Sequence, residues 1–218
     1  MRIAALYDVH AMPTPLEAVL ADVDRARADA IVFGGDIFQG PLPRQTLGIV
    51  RSLDAHHVRG NCDREPSEWV REQLDVDAVA WAQSWPTTVE LDGVLYCHAT
   101  PHDDMPILTD ASPPERFEEA LSGVDARLVV AGHTHMQFRR DRWVNAGSVG
   151  MPYEDEIAAF WAIVDGDEVE FRRTPFDIER AIGEVEASGW PDSPPFVAEN
   201  LRVPASRKEA TEYFESIA

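Results

Sequence analysis

Apolar and polar residues alternate along the first half of the chain in a way that predicts short strands separated by helices. Strands are predicted at the apolar runs 3–7 and 30–33 and at the segment 57–59. Residues 14–17 read Thr-Pro-Leu-Glu, which supplies an N-cap, a proline at the first helical position and a capping-box glutamate. A helix is therefore predicted from residue 15 to about residue 27. Strands that alternate with helices are typical of β-α units feeding a parallel or mixed sheet.

The pattern changes after residue 86, where antiparallel strands are predicted. Residues 87–91 and 94–97 are separated by Asp92-Gly93, a dipeptide favoured in two-residue hairpin turns. Later runs with strand character are consistent with a second sheet packed on the first. The other predicted elements are a loop over 99–112, a helix over 114–121, strands over 128–131, 138–144, 159–164 and 168–173, a helix over 177–188, a proline-rich bend at 191–195, and a final helix opened by the capping box of Ser206 and Glu209.

Length and charge set the expected organisation and partners. A chain of 218 residues is long enough for one substantial core. We expect one domain over 1–218, with a motif-bearing core at 1–174 and a helical extension at 175–218 that covers the sheet, shapes the site or makes a homo-oligomer contact. The formal net charge of -20 repels polyanions, so extended nucleic-acid binding is not expected. A small phosphate ester is still compatible, because bound divalent cations can reverse the local field.

Cysteine usage and hydropathy predict a cytoplasmic protein. The two cysteines, Cys62 and Cys97, form neither a C-x-x-C pair nor a disulfide framework, which favours a reducing compartment. The apolar run before Asp8 is too short for the core of a signal peptide. The longest apolar run, 158–164, is far below the ~20 residues that span a bilayer, so no membrane association is expected.

Side chains able to bind metals follow the predicted strands. The ends of strands in an open α/β sheet border the crevice where ligands bind. Residues i and i+2 of an extended chain point to the same side, so paired residues of this kind would aim into one cavity. Glycines precede three of the residues and permit close backbone approach. The set is Asp8 and His10 after the first strand, Asp36 after the second, Asn61 after the third, His98 after the hairpin, and His133 and His135 after the strand over 128–131.

The chemistry of this set indicates a site for two metal ions. Carboxylate, amide and imidazole donors without thiolates differ from a structural, cysteine-rich zinc site. Seven donors are also too many for one tetrahedral ion, whereas two ions that share one carboxylate would use them all. We therefore expect two divalent cations, with manganese first and iron, zinc, nickel or cobalt as alternatives.

The order of these motifs resembles the calcineurin-like metallophosphoesterase superfamily. D-x-H, G-D, G-N-x-D and G-H-x-H occur in that order over residues 1 to about 164, with a lone histidine before the last. Residues 145–150, Asn-Ala-Gly-Ser-Val-Gly, resemble the segment that follows the site in the small bacterial and archaeal phosphodiesterase branch. The resemblance implies an α/β fold, a four-layer α/β/β/α sandwich of two mixed sheets flanked by helices.

The resemblance also implies a division of the ligands and a reaction. Two cations would clamp the phosphoryl oxygens of a phosphate ester and lower the pKa of a bridging water, which attacks phosphorus in line. The implied ligands are Asp8, His10 and His135 for one metal, Asn61, His98 and His133 for the other, and Asp36 as the bridge between them.

Four further residues are candidates for catalytic roles, each with a plainer alternative. Cys62 stands where the commoner family form has a histidine that acts as general acid, so it is either a proton donor or a small filler. His102 is either an alternative acid or an exposed loop residue. Arg59 matches an arginine that contacts phosphate in related protein phosphatases, or it makes an ordinary ion pair. Asp63 either orients its neighbours from behind the ligands or caps the next helix.

Three functions follow from these observations. The leading hypothesis is a phosphodiesterase acting on a small diester. The closest alternative is a phosphomonoesterase, including a protein-phosphatase-like or dinucleoside-polyphosphate-hydrolysing activity, because all of these use the same metal pair. A non-catalytic interaction scaffold is a third hypothesis, since the retromer scaffold subunit resembles this fold. The completely filled ligand set favours the enzyme over the scaffold.

Overall fold

Two mixed five-stranded sheets form the centre of the protein, as a computed structural model of all 218 residues shows. The strands are β1 (Arg2–Leu6), β2 (Ala30–Phe33), β3 (His56–His57), β4 (Thr88–Leu91), β5 (Val94–Cys97), β6 (Leu128–Ala131), β7 (Phe138–Arg140), β8 (Trp143–Asn145), β9 (Ala159–Asp165) and β10 (Glu168–Thr174). The first sheet has the order β10-β9-β1-β2-β3 and the second the order β4-β5-β6-β8-β7. The strands β1, β2 and β3 run parallel, as do β5, β6 and β8, so their carboxyl ends meet at one edge of each sheet.

Helices cover the outer faces of both sheets. Side chains of α1, α2 and α5 pack on the first sheet, and α6 packs on the second, which gives the four layers that the resemblance implied. No helix is both long enough and apolar enough to cross a membrane. The helices are α1 (Pro13–Ala26), α2 (Pro43–Arg51), α3 (Asn61–Arg64), α4 (Glu68–Gln73), α5 (Val76–Gln83), α6 (Pro114–Ala120), α7 (Ile178–Ala187), α8 (Ser193–Phe196), which continues into a π-helical turn (Val197–Arg202), and α9 (Arg207–Ile217).

Successive side chains of a strand point to opposite faces of its sheet, so one strand can contribute to two hydrophobic cores. In β1, Ile3 and Ala5 contribute to the core between the sheets, whereas Ala4 and Leu6 contribute to the core under the helices. A strand buried on both faces must be apolar at every position, and β1 is apolar from Ile3 to its end. The predicted fold class is confirmed.

Two local sequence predictions are wrong at their boundaries. The residues 14–17 do not form a capping box, because α1 begins at Pro13 and the Thr14 hydroxyl instead donates a 2.5 Å hydrogen bond to Glu184 of α7. The predicted strand over 138–144 is a hairpin, because Asp141 adopts a φ of 53° and turns the chain between β7 and β8. In both places a tertiary contact or turn overrides a local pattern.

Two other local predictions are confirmed. The hairpin of β4 and β5 turns through Asp92 and Gly93, whose φ values of 52° and 72° are both positive, as the favoured two-residue turn requires. The final helix begins as its capping box predicted, because the Ser206 hydroxyl accepts a hydrogen bond from the backbone N–H of Glu209. The proline-rich bend instead contains the short helix α8.

His57 makes the stability of the fold sensitive to acid. Its ring stacks on Trp85, with centroids 4.6 Å apart, and on Phe33 at 5.6 Å. Burial, with a smaller contribution from His56, lowers the pKa of His57 to about 4. A histidine in the unfolded chain titrates near pH ~6.5, so the unfolded state binds more protons below that value. The contribution of neutral His57 to stability is therefore complete above pH ~6.5 and is lost as the pH falls toward about 4.

We expect His57→Gln to reduce the pH dependence of unfolding. Urea unfolding of the metal-free protein at about pH 7.5 and pH 5 would show a smaller loss of stability on acidification in the variant than in the wild type. His56→Gln, a change at the exposed neighbouring position, is the control and should retain most of the wild-type pH dependence, because His56 makes only the smaller contribution. An unchanged pH dependence in His57→Gln would contradict the prediction.

Candidate metal centre

All seven predicted metal ligands lie together at the carboxyl edges of the parallel strands. Two buried groups have their ligand atoms within 4.8 Å of one another: Asp8 with His10 and His135, and Asp8 with Asp36 and His98. Asn61 and His133 extend the second group. The Nε2 atom of His98 lies 2.9 Å from Asn61 Oδ1 and 3.2 Å from His133 Nδ1. Asp8 belongs to both groups, whereas Asp36, the implied bridge, belongs to one; the bridging role of Asp36 stays a prediction.

The outer nitrogens of the four histidines all face backbone carbonyl groups. Because a carbonyl can only accept a hydrogen bond, each outer nitrogen carries a proton, and the inner nitrogen is the one that can offer a lone pair to a cation. Carbonyl acceptors that fix the tautomer in this way are typical of histidines that bind metals. The contacts are His10 Nδ1 to Gln39 O at 3.1 Å, His98 Nδ1 to Gly34 O at 3.0 Å, His133 Nε2 to Met105 O at 3.2 Å, and His135 Nδ1 to Met151 O at 2.7 Å.

The distances between inner atoms fit coordination to a shared ion. The Nε2 atoms of His10 and His135 are 3.1 Å apart, and His135 Nε2 lies 3.2 Å from Asp8 Oδ1. Two donors that are each about 2.1 Å from one ion lie roughly 3.0 to 3.4 Å apart at octahedral or tetrahedral angles. Asp8 is fully buried, and its Oδ1 has no hydrogen-bond partner. A buried oxygen without a partner is destabilising unless a cation satisfies it, so the residues fit a metal centre.

Five ligands adopt a backbone conformation that residues other than glycine seldom adopt. The extended i, i+2 arrangement predicted for Asp8 with His10 and for His133 with His135 is wrong. The side chains instead converge from tight turns. Such conformations cluster at functional sites, where the surrounding structure holds them. The φ values are 52° for Asp8, 48° for His10, 54° for Asp36, 67° for His133 and 59° for His135.

Glycines allow the ligand loops to pack against one another. A Cβ atom on Gly60 would overlap the Asp36 carboxylate, and one on Gly132 would overlap the carboxylate of Asp8. Gly35 has a φ of 100°, and a Cβ atom on it would lie 2.7 Å from the backbone of Gly60 and 2.7 Å from His98 Nδ1. The predicted role of glycine in close backbone approach is confirmed at these positions.

We expect Gly60→Ala to damage the centre and destabilise the protein by about 1 to 3 kcal/mol, because the added methyl group has no space beside Asp36. Gly48→Ala is the matched control: nothing lies within 4 Å of its Cβ, and in the middle of α2 the change should stabilise the protein by about 0.5 to 1 kcal/mol. Urea unfolding and calorimetric titration with Mn²⁺ would check both variants. Wild-type manganese affinity in Gly60→Ala would contradict the prediction.

Asp63 connects the two loops that carry Asp36 and Asn61. Its carboxylate accepts hydrogen bonds from the backbone N–H groups of Asp36 at 2.7 Å, Gly60 at 3.0 Å and Ile37 at 3.1 Å. This geometry supports the orienting role. The next helix, α4, is capped by Ser67 instead, and Asp63 accepts from Gly60, the N-cap of its own helix α3. Burial and the charge of Asp36 raise the pKa of Asp63 to about 7, although these N–H groups oppose the shift.

Cys62 is held beside Asp36 in a position that favours the filler role. Its backbone N–H donates to Asp36 Oδ1 at 2.9 Å, and its side chain lines a small cavity with Phe38 and Val70. Burial, followed by the charge of Asp36, raises the pKa of the Cys62 thiol. A thiol with a raised pKa is a poor proton donor at neutral pH.

Arg59 and His102 do not contact the ligands. Arg59 donates a 3.0 Å hydrogen bond to the carbonyl of Gln83, the last residue of α5, where a cation is favourable. The exposed ring of His102 lies 3.0 Å from the carbonyl of Ser122, after α6. Their placement supports structural roles for both side chains rather than the catalytic roles considered from the sequence.

The charges of the ligands are strongly coupled. Burial alone would lower the pKa of His98, but the adjacent carboxylate of Asp36 raises it to about 10. Burial and the nearby His98 lower the pKa of His133 to about 4. A proton is therefore retained by His98 beside Asp36 in the metal-free protein, and metal binding must displace it.

Residues 145–150 position the ligand loops. The Ser148 hydroxyl donates a hydrogen bond to the backbone carbonyl of Asp8 at 2.8 Å. The side-chain amide of Asn145 donates one to the backbone carbonyl of Gly132 at 2.6 Å. Neither residue was predicted individually, although the resemblance singled out their segment. Tyr153, after this segment, stacks on His135 with the ring centroids 5.1 Å apart.

Residues 1–168 match the family model of the calcineurin-like phosphoesterase superfamily domain. The chain belongs to the calcineurin-like phosphoesterase superfamily. This calcineurin-like protein has no match among curated proteins. The family is metal-dependent, and this chain has candidate metal-binding residues in Asp8, His10, Asp36, His98 and His135.

Solved structures share the calcineurin-like fold over most of the chain. A metallophosphoesterase from Sphaerobacter thermophilus is 27% identical, with a TM-score of 0.76, and the match covers 88% of this chain and 96% of that one. A hypothetical protein from Pyrococcus horikoshii OT3 is 16% identical, with a TM-score of 0.76 and coverage of 90% and 96%. A putative diadenosine tetraphosphatase is 17% identical, with a TM-score of 0.55 and coverage of 79% and 93%. The last two likenesses concern the fold alone.

Proposed function

We propose that the protein is a phosphodiesterase that uses two divalent cations. The observation that carries this proposal is the set of four histidines whose outer nitrogens are fixed by carbonyl groups and whose inner nitrogens converge, three of them beside the buried carboxylates of Asp8 and Asp36. Such preorganised donors have no evident purpose without cations between them. One cation would be held by Asp8, His10 and His135, the other by Asn61, His98 and His133, with Asp36 between them.

In this arrangement the cations and the side chains of the protein would have different roles. Bound cations supply Lewis-acid stabilisation of the phosphoryl oxygens and a nucleophile derived from water at neutral pH. The chain supplies the orientation: Asp63 fixes the loop of Asp36, and Ser148 fixes the backbone of Asp8. Neither Cys62 nor His102 is placed as a proton donor. An ester whose leaving group departs as an anion should therefore be hydrolysed best.

The lack of a cationic side chain at the centre favours diesters over monoesters. A phosphate monoester carries about −1.5 to −2 charges at pH 7, whereas a diester carries a single negative charge. Arg59 is bonded to Gln83, and the neighbouring Arg64 forms an ion pair with Asp104 at 2.8 Å. Neither arginine is available to neutralise the second charge of a monoester.

Hydrolysis of bis-p-nitrophenyl phosphate and p-nitrophenyl phosphate by the manganese-loaded protein tests the proposal. We expect a higher rate with the diester, and its loss in His133→Ala, which also controls for contaminating activity. A preference for the monoester would instead support a phosphatase. No turnover of either substrate that depends on His133 would contradict hydrolysis of these esters and favour the scaffold.

A further inference from the structure

A cavity of about 700 Å³ lies between the loop after β8 and the C-terminal extension. Its size is that of a site for a small organic group. Most of its lining is apolar, and three aromatic side chains contribute to it: Tyr153, Tyr213 and Phe214. The centroids of the Tyr153 and Phe214 rings are 6.0 Å apart, and those of Tyr213 and Phe214 are 5.8 Å apart.

Tyr153 connects this cavity to the metal centre. Its ring stacks on His135 with an interplanar angle of 15°, and the same residue lines the cavity. The backbone N–H of Tyr153 donates to the carbonyl of His135 at 3.3 Å, so the two residues are also held together through the main chain. Tyr153 therefore lies between the candidate ligand His135 and the cavity.

The far wall of the cavity is fixed to the rim of the centre by α9. Arg207, at the start of α9, donates to Glu154 at 2.6 Å and to the carbonyl of Gln137 at 2.9 Å. Near the other end, Glu215 accepts from Thr109 at 2.6 Å. Hydrogen bonds and ion pairs of α9 therefore hold this wall of the cavity against the rest of the protein.

The charges of the lining exclude a further phosphate. Glu199 and Glu209 line the cavity, neither carboxylate has an ion-pair partner, and the lining contains no lysine, arginine or histidine. Carboxylates without a compensating cation repel an anionic group. This argues against a polyphosphate chain extending from the centre in this direction.

We propose that this cavity binds an uncharged aromatic substituent of the phosphodiester whose phosphoryl group lies at the metal centre. The proposal rests on the proposed phosphodiesterase function and assigns its substrate class: diesters with a bulky aromatic group, as distinct from compact monoesters and dinucleoside polyphosphates. Tyr213 and Phe214 contact that group, and the C-terminal extension supplies the selectivity of the enzyme.

Calorimetric binding of diphenyl phosphate and dimethyl phosphate to the manganese-loaded protein tests this assignment. Both ligands carry the same anionic phosphoryl group, but only diphenyl phosphate has aromatic rings. We expect diphenyl phosphate to bind about tenfold more tightly or better, and this preference to fall by about fivefold to tenfold in Tyr213→Ala and in Phe214→Ala. Ile217→Ala, an exposed apolar position on α9 outside the cavity, is the matched control and should keep the wild-type preference.

The outcomes separate this inference from the proposed function. An equal affinity for the two ligands, or a preference unchanged in Tyr213→Ala and Phe214→Ala, would overturn the aromatic site. Wild-type protein that prefers diphenyl phosphate but hydrolyses no diester would support the site and contradict the phosphodiesterase. Circular dichroism of each variant would establish that α9 and the fold are retained.

The charge of the lining gives a second test. Bis(4-carboxyphenyl) phosphate has two rings of nearly the same shape, each with a negative charge. We expect it to bind the wild type more weakly than diphenyl phosphate, and Glu199→Gln/Glu209→Gln to recover part of the difference. Glu68→Gln/Glu72→Gln, at two exposed positions of α4 outside the cavity, removes the same number of charges and is the control for net charge. Equal affinities of the wild type for both ligands would overturn the exclusion of anionic groups.

Discussion

We expect Asp8→Ala to weaken metal binding in both groups of ligands and to lower diester hydrolysis by more than about 100-fold, the upper range for the loss of a supporting residue around a metal. Asp8 is the one carboxylate common to both groups, and it is fully buried. Its Oδ1 has no hydrogen-bond partner and faces His135, while Oδ2 accepts from the backbone N–H of His133 at 2.9 Å. The substitution therefore removes a ligand and also releases the loop of His133.

Asp8→Asn separates these two effects. The amide oxygen can still accept the hydrogen bond from His133, but the negative charge is lost. Metal content after gel filtration and the rate with bis-p-nitrophenyl phosphate would be measured for both variants. We expect Asp8→Asn to keep the stability of the wild type more closely than Asp8→Ala while losing most of the activity. Two bound metals and wild-type activity in Asp8→Ala would refute the assignment.

Asp63→Ala should destabilise the metal-free protein by at least about 3 kcal/mol, because an unsatisfied buried donor costs about 1 to 3 kcal/mol and three would be created. The three N–H groups belong to Asp36, Ile37 and Gly60, in the two loops that Asp63 connects. A loss of this size is a large fraction of the ~5 to 15 kcal/mol that stabilises a typical domain. Urea unfolding would measure it.

Asp63→Asn is the matched control for shape. Its amide oxygen can replace one carboxylate oxygen, so we expect a smaller loss of stability than in Asp63→Ala. Both variants should bind manganese more weakly than the wild type, because Asp36 is no longer held in place. Equal stability of Asp63→Ala and the wild type would show that solvent reaches these N–H groups.

The clustering of the candidate metal ligands could be predicted from the sequence because it depends on topology. Parallel strands place their carboxyl ends at one edge, so polar residues that follow those strands meet regardless of the details of each loop. Asp8 and Asp36, which follow the parallel strands β1 and β2, are brought together in this way. The conformations of the loops were not predictable. The left-handed turns at Asp8 and His10 depend on contacts with Gly35, Gly40 and Gly150 that lie far away in the sequence.

The residues around the ligands were predicted less well, because their roles depend on which partner is nearest. Arg59 is next to the ligand motif in sequence, yet its guanidinium reaches the carbonyl of Gln83. His102 lies four residues after His98, but its ring turns to Ser122. A long side chain can reach several hydrogen-bond acceptors, and sequence spacing does not determine which of them it contacts.

The last helix is attached to the protein differently from the others. No residue of α9 is buried, and charged contacts hold both of its ends: Arg207 with Glu154, and Glu215 with Arg116 at 3.1 Å. Partly exposed ion pairs weaken as salt screens them, whereas buried apolar contacts do not. Raising the ionic strength therefore loosens α9 while the two sheets remain folded, and local opening of this helix is a low-energy fluctuation of the native state.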